Sequence, residues 1–320
     1  MVGSLYCPPT MEQPPAPALE APAGPAGRGT HIDPAALARL RRQLDQAEQP
    51  APWLHGEIAR RMAERLPLIR LQPQSVLDWG AQAGSSQALL ARQYPKARRM
   101  AVDSLGQPPA DTAKSGSWWR RLTGERAAPA TSGPPPADLL WSNMTLHWVD
   151  DLAGLFARWQ AATAIDGFLM FSCLGPDTLR ELQATYRSAG FGSPGSRLVD
   201  MHDIGDALVH AGFADPVMDM EQLTLTWDSA QAMLDELRSL GRNTDPQRHA
   251  GLRTPRWHVA LLERLDAGLR RPDGRLHLTF EVIYGHAFRP PAKARVAAQT
   301  EISLGDMREM TRRRNPQGPR

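Results

Sequence analysis

VLDWGAQAGSS, Val76 to Ser86, is an apolar run that ends in an acidic residue and passes straight into a turn bracketed by two glycines. Strand, Gly-containing turn and helix start together make a place where backbone N–H groups approach a ligand closely, because glycine has no Cβ in the way. The expected guest is a nucleotide-like cofactor. The spacing is D-x-G-x-x-x-G, with Asp78, Gly80 and Gly84 at the fixed positions and Gln82 where such loops usually carry a middle glycine. Gln82 therefore predicts a looser grip on that guest.

Outward from this loop, short apolar segments alternate with amphipathic ones, the pattern of an α/β fold with a mostly parallel sheet covered on both sides. SVLDW, RMAVD, DLLWSN and GFLMFS read as strands. SSQALLARQ and DDLAGLFARWQAAT read as helices, the second turning Leu152, Leu155, Phe156 and Trp159 inward. Upstream, Asp33 and Pro34 open a helix with a Leu37, Leu40 and Leu44 stripe, and a second helix from about Pro52 to Leu66 aligns Leu54, Ile58 and Met62. Downstream, MHDIGDALVHAGF is a helix stopped at Gly212. PVMDMEQLTLTW and LHLTFEVIYGHAF are two more strands, the latter alternating Leu278, Phe280, Val282 and Tyr284 with Thr279, Glu281 and Ile283. Between these strands sits a helical pair, Asp228 to Leu240 and Arg256 to Leu269, placed to act as a lid.

Composition bounds the rest. The 320 residues are 42% hydrophobic with a net charge of +3, enough apolar content for a sizeable core. Residues 1–30 are rich in Pro, Ala and Gly and are expected to be disordered, as is the basic tail 291–320. The domain between them spans 31–290, with a low-complexity loop at 104–137 and the lid insertion at 228–275. Cys7 and Cys173 imply no disulfide framework, so a cytoplasmic setting is expected. No apolar run is long enough to span a membrane, and no leader is visible whether the chain starts at Met1 or Met11. No finger or aromatic-interleaved basic motif points to nucleic acid. His202 and Asp206 stand four apart without a third ligand in register, so no metal site is expected.

As a set, ADLLWSNMTLHWVDDL, GFLMFSCLGPDTLREL, VDMHDIGDALVHAGFADPVMDME and TFEVIYGHAFRP, together with the Gly loop, resemble the class I S-adenosylmethionine-dependent methyltransferases. More narrowly they resemble the malonyl carrier-protein O-methyltransferases of biotin synthesis, over roughly Trp53 to Pro290. The resemblance implies a Rossmann-like sheet of seven strands with a C-terminal reversed hairpin, the cofactor S-adenosyl-L-methionine lying across the strand ends, and a malonyl-loaded acyl carrier protein as partner. It places Asp78 near the methionyl ammonium, Gly80 and Gly84 against the methionyl part, and Asp103, which ends the second strand, on the ribose hydroxyls. Asn143, His147 and Trp148, after the DLLWSN strand, would line the acceptor side. The tyrosine these enzymes carry near the entrance is missing, with Trp53 or His55 to stand in.

Each assignment has a plainer counterpart: Asp78 as a helix cap, Asp103 as a turn residue, His147 as a structural histidine. Residues 104–137 offer no recognisable third strand and no acidic residue after it to meet the adenine. Three functions therefore stay open: a methyltransferase, a non-catalytic module of the same fold that binds an acidic partner protein, and, by resemblance to a mitochondrial relative of this fold alone, an arginine hydroxylase. Arg238, Arg242, Arg248, Arg253 and Arg256, with only Asp245 among them, are the expected cationic face for either of the first two.

Overall fold

The computed structural model describes residues 32–46, 52–81, 85–107, 134–249, 251–291 and 305. Helix α1 (Pro34–Gln46) and helix α2 (Trp53–Ala63) precede strand β1 (Ser75–Trp79). Then follow α3 (Gln87–Gln93), β2 (Arg98–Val102), β3 (Ala137–Asn143), α4 (Leu152–Ala162) and β4 (Thr163–Leu174). The chain continues through α5 (Arg180–Ala189), α6 (Met201–His210), β5 (Ala214–Trp227), α7 (Ala230–Leu240), α8 (Pro255–Leu269) and β6 (Leu276–Phe288).

The strands form one sheet in the order β2-β1-β3-β4-β6-β5. β1 to β4 run parallel, and β6 enters antiparallel between β4 and β5. This is the expected α/β sheet with its reversed hairpin, but it has six strands among the described residues rather than seven. The segment in which another strand would fall, 108–133, lies outside them, as do both expected tails apart from Pro291 and Gly305.

Successive residues of each central strand feed opposite faces. Val76, Leu139, Trp141, Phe168 and Met170 pack with Leu54, Ile58 and Met62 of α2, Leu90 of α3 and the inner sides of α7 and α8. Leu77, Leu140, Leu169 and Phe171 pack on the other face with Leu155, Phe156 and Trp159 of α4 and Ile204 and Leu208 of α6. β6 is buried on both faces, Glu281 and Ile283 included, because helices cover both sides. The helical pair expected as a lid, α7 and α8, sinks Met233, Leu261, Leu265 and Leu269 into the main core as one of its walls, and Gly241, at the start of the connection between its helices, lies against the Trp148 indole.

Candidate active site

The carboxyl ends of β1 and β3 lie side by side and are locked together by the turns that leave them. Gly80 has φ +77°, and a Cβ there would collide with the Cγ2 methyl of Thr145. Its N–H donates to the Val102 carbonyl at 3.0 Å. The Ser142 hydroxyl donates to the Trp79 carbonyl at 3.2 Å and shares a 2.5 Å hydrogen bond with the Thr145 hydroxyl. Gly80 is thus required twice, for its left-handed backbone and for the close approach of Thr145.

Beneath this turn, Asp78 is 3% exposed, and neither carboxylate oxygen has a hydrogen-bond partner among the described residues. Burial alone pushes its pKa up to about 7. A buried carboxylate without a partner is costly, and a cation delivered to it would be held strongly. Gln82 and Gly84, the other two residues on which the loop was read, lie outside the described residues.

Asp103, just past β2, serves its own turn with one oxygen. Oδ1 accepts from the Leu105 and Gln107 N–H groups, each at 2.8 Å. Its carbonyl accepts from the Gly106 N–H at 3.0 Å. Gly106, with φ +83°, lies against the Trp79 indole so closely that a Cβ would clash, and that indole donates to the Ser104 carbonyl at 3.2 Å. Oδ1 is thus occupied by the turn, and Oδ2 takes no part in these bonds.

On the acceptor side, β3 ends at Asn143, Met144 takes φ +57°, and a 3-10 turn, Leu146–Trp148, brings His147 and Trp148 round. Their rings meet edge-on at 4.5 Å, and the His55 ring lies 6.4 Å from that of Trp148. His147 Nδ1 is buried and has no hydrogen-bond partner among the described residues. Burial first, and His55 second, push the His147 pKa down to about 3, so its imidazole is neutral across the working range. Asn143 is fully buried. Its amide donates to the His55 carbonyl at 2.8 Å and its Oδ1 accepts from the Ser172 hydroxyl at 2.7 Å. It lies under the site as a fastening and does not line it.

A roof closes over Trp148. Leu37 and Leu40 of α1 pack on it, and Gly241 lies against its indole.

No family model matches the chain. It is 39% identical over 269 residues to the malonyl-[acyl-carrier protein] O-methyltransferase of Gallionella capsiferriformans, an alignment covering 81% of this chain and 92% of that protein. The enzyme of that name from a Methylovorus species is 39% identical over 281 residues, covering 83% and 93%. The one from Laribacter hongkongensis is 37% identical over 277 residues, covering 81% and 91%. The chain belongs to the malonyl-[acyl-carrier protein] O-methyltransferase family.

In this family member the two candidates for the missing tyrosine part company. Trp53 is 54% exposed and its indole donates to Glu236 of α7, whose other oxygen accepts from the Trp227 indole at 2.5 Å. It holds the wall. His55 is buried beside Trp148.

The arginine face expected from sequence is largely spent inside the methyltransferase. Arg238 pairs with Asp235, Arg248 with Asp33 at 2.5 Å, and Arg253 lies 4.3 Å over the Trp257 ring while donating to the Phe191 carbonyl. A run of like charge recruits whatever acceptors the fold brings near, which sequence spacing does not show. His202 likewise pairs with Asp200, the cap of α6, at 2.7 Å rather than with Asp206. Sequence reading missed the Asn143–Ser172–His55 fastening and the Glu236 clamp. Their only advance signals were polar residues inside apolar strands and a Trp at the start of a helix.

Proposed function

We propose that the chain transfers a methyl group from S-adenosyl-L-methionine to the free carboxylate of a malonyl group carried on acyl carrier protein, in biotin synthesis. The observation that carries this reading is Asp78, a buried carboxylate without a described partner at the end of β1, beside a glycine turn shaped for close approach. The cofactor's α-ammonium is the complement such a group lacks. A module that had given up the cofactor would bear the cost of that buried acid for no return, which favours the enzyme over the non-catalytic alternative.

Bound at these strand ends, S-adenosylmethionine would supply a methyl group on a sulfonium, so that transfer breaks one C–S bond, forms one O–C bond and releases a neutral thioether. The acceptor oxygen is already an anion, and no general base is required. The chain's task is alignment and exclusion of water. Asp78 takes the ammonium, Gly80 lets the backbone close on the methionyl part, and Asp103 Oδ2 accepts from the ribose hydroxyls. Gly84 belongs with Gly80 in this assignment.

His147 and Trp148 position the malonyl carboxylate. A neutral imidazole N–H orients the acid without pairing its charge, whereas an imidazolium would draw electron density from the attacking oxygen. Asn143 acts one layer further out, by fixing His55 and the end of β3.

Calorimetry of S-adenosylmethionine with the purified chain tests the reading. Binding that disappears in Asp78→Asn supports it, and the absence of binding by the parent contradicts it.

A further inference from the structure

Three of the five arginines around the helical pair are engaged within the chain, which raises the question of which cations remain beside the site. Among the described residues, exposed arginines without an ion pair include Arg197 and Arg256 and two sets that belong to the roof over Trp148. On α1, Arg39 and Arg42 are exposed and make no ion pair among the described residues. They lie three apart and so share a face, the face opposite Leu37 and Leu40, which pack on Trp148. On the connection from α7 to α8, exposed Arg242 follows Gly241, which lies against the same indole.

The two sets are held in fixed relation. The Asp33 N–H, at the head of α1, donates to the Thr244 carbonyl at 2.7 Å, and the Asp33 carboxylate pairs with Arg248. The Thr244 hydroxyl is in turn bonded to Ser196 at 2.7 Å, and Asn243 donates to the Ser193 carbonyl at 2.7 Å. Arg248 thus acts as a tie, and the charges it braces face outward. Close by in sequence, Leu252 is an apolar side chain left 98% exposed in a basic connection.

We propose that Arg39, Arg42 and Arg242 form the docking surface for an acidic carrier protein, carried on the two tied elements that cover Trp148. This rests on the function proposed above and names the surface it uses. The partner's chemistry follows from the charge: a protein with a strongly acidic face meets separated guanidinium groups on two braced elements. Exposed pairs of this kind act mainly through encounter and fade with salt.

The test is steady-state methyl transfer by the full chain and by the Arg39→Glu/Arg42→Glu/Arg242→Glu variant, with malonyl-acyl carrier protein and with malonyl-pantetheine, a thioester that carries only the malonyl carboxylate and lacks the carrier's acidic face. For the carrier substrate the variant's KM is expected to rise about tenfold or more with kcat kept, and the parent's advantage to shrink as added salt shortens screening to roughly 8 Å and below. For malonyl-pantetheine the two proteins are expected to match. Equal kinetics on the carrier substrate, or an equal loss on both substrates, overturns the docking surface. A parent inactive on both thioesters overturns the methyltransferase reading itself, and the docking surface with it.

Discussion

The side-chain amide of Asn143 donates to the backbone carbonyl of His55 at 2.8 Å across 88 residues of chain. That bond joins the end of β3 to α2 at the level where His147 and Trp148 begin. With the Ser172 hydroxyl on its Oδ1, Asn143 sets the height of the acceptor side relative to the cofactor side. Its removal leaves buried polar groups unpaired, so Asn143→Ala is expected to lower stability by about 1–3 kcal/mol, read by urea denaturation. An unchanged midpoint would show that water replaces the amide.

Gly80 and Thr145 form the second fastening. Gly80→Ala is expected to push the turn away from Thr145 and weaken cofactor binding about tenfold or more. Thr145→Ser removes the colliding methyl while keeping the hydroxyl that bonds Ser142. Added to Gly80→Ala, it is expected to restore part of the loss in calorimetry. No recovery would place the whole effect in the positive φ.

Asp78 makes stability depend on pH with a sign opposite to that of a paired carboxylate. Its pKa is about 7 in the folded chain against an ordinary 3.8. Between these values the folded chain holds a proton that the unfolded chain has lost, so its contribution falls as pH rises through the window and is level above it. The melting temperature of the cofactor-free parent, relative to Asp78→Asn, is expected to fall from about pH 5 to about pH 7.5. S-adenosylmethionine affinity is expected to rise over the same interval, because the ammonium needs the ionised acid. Parallel melting profiles of the two proteins would remove Asp78 from this role.

Asp103 can be split into its two tasks. Asp103→Asn keeps an oxygen for the Leu105 and Gln107 N–H groups and loses the charge, so the fold is expected to hold while cofactor affinity drops roughly ten- to a hundredfold. Asp103→Ala loses both. Full affinity in the Asn variant, by calorimetry, would leave Asp103 as a turn residue alone.

The sheet was legible because its strands are short apolar runs with turn residues between them: SVLDW is β1 residue for residue. Leu54, Ile58 and Met62 are all fully buried, as their spacing predicts. Helix α5 was not singled out, and its start shows why. Leu179 stands at its N-cap with φ +56° and no capping side chain, and only Leu182 within it is buried, so it lacks both the start signal and the stripe. Asp78, Gly80 and Asp103 were legible from their places at strand ends. The roof was not, since nothing in the spacing of Asp33 and Arg248 tells that they meet; contacts between distant segments are made by the fold and leave no local period.

The most direct test of the account is the intact mass of malonyl-acyl carrier protein after incubation with the chain and S-adenosylmethionine. The account predicts a carrier heavier by one methyl group, with the added methyl on the malonyl carboxylate and its appearance lost in Asp78→Asn. A carrier of unchanged mass, with cofactor and partner both shown to bind, would contradict it and leave the fold as a binding module.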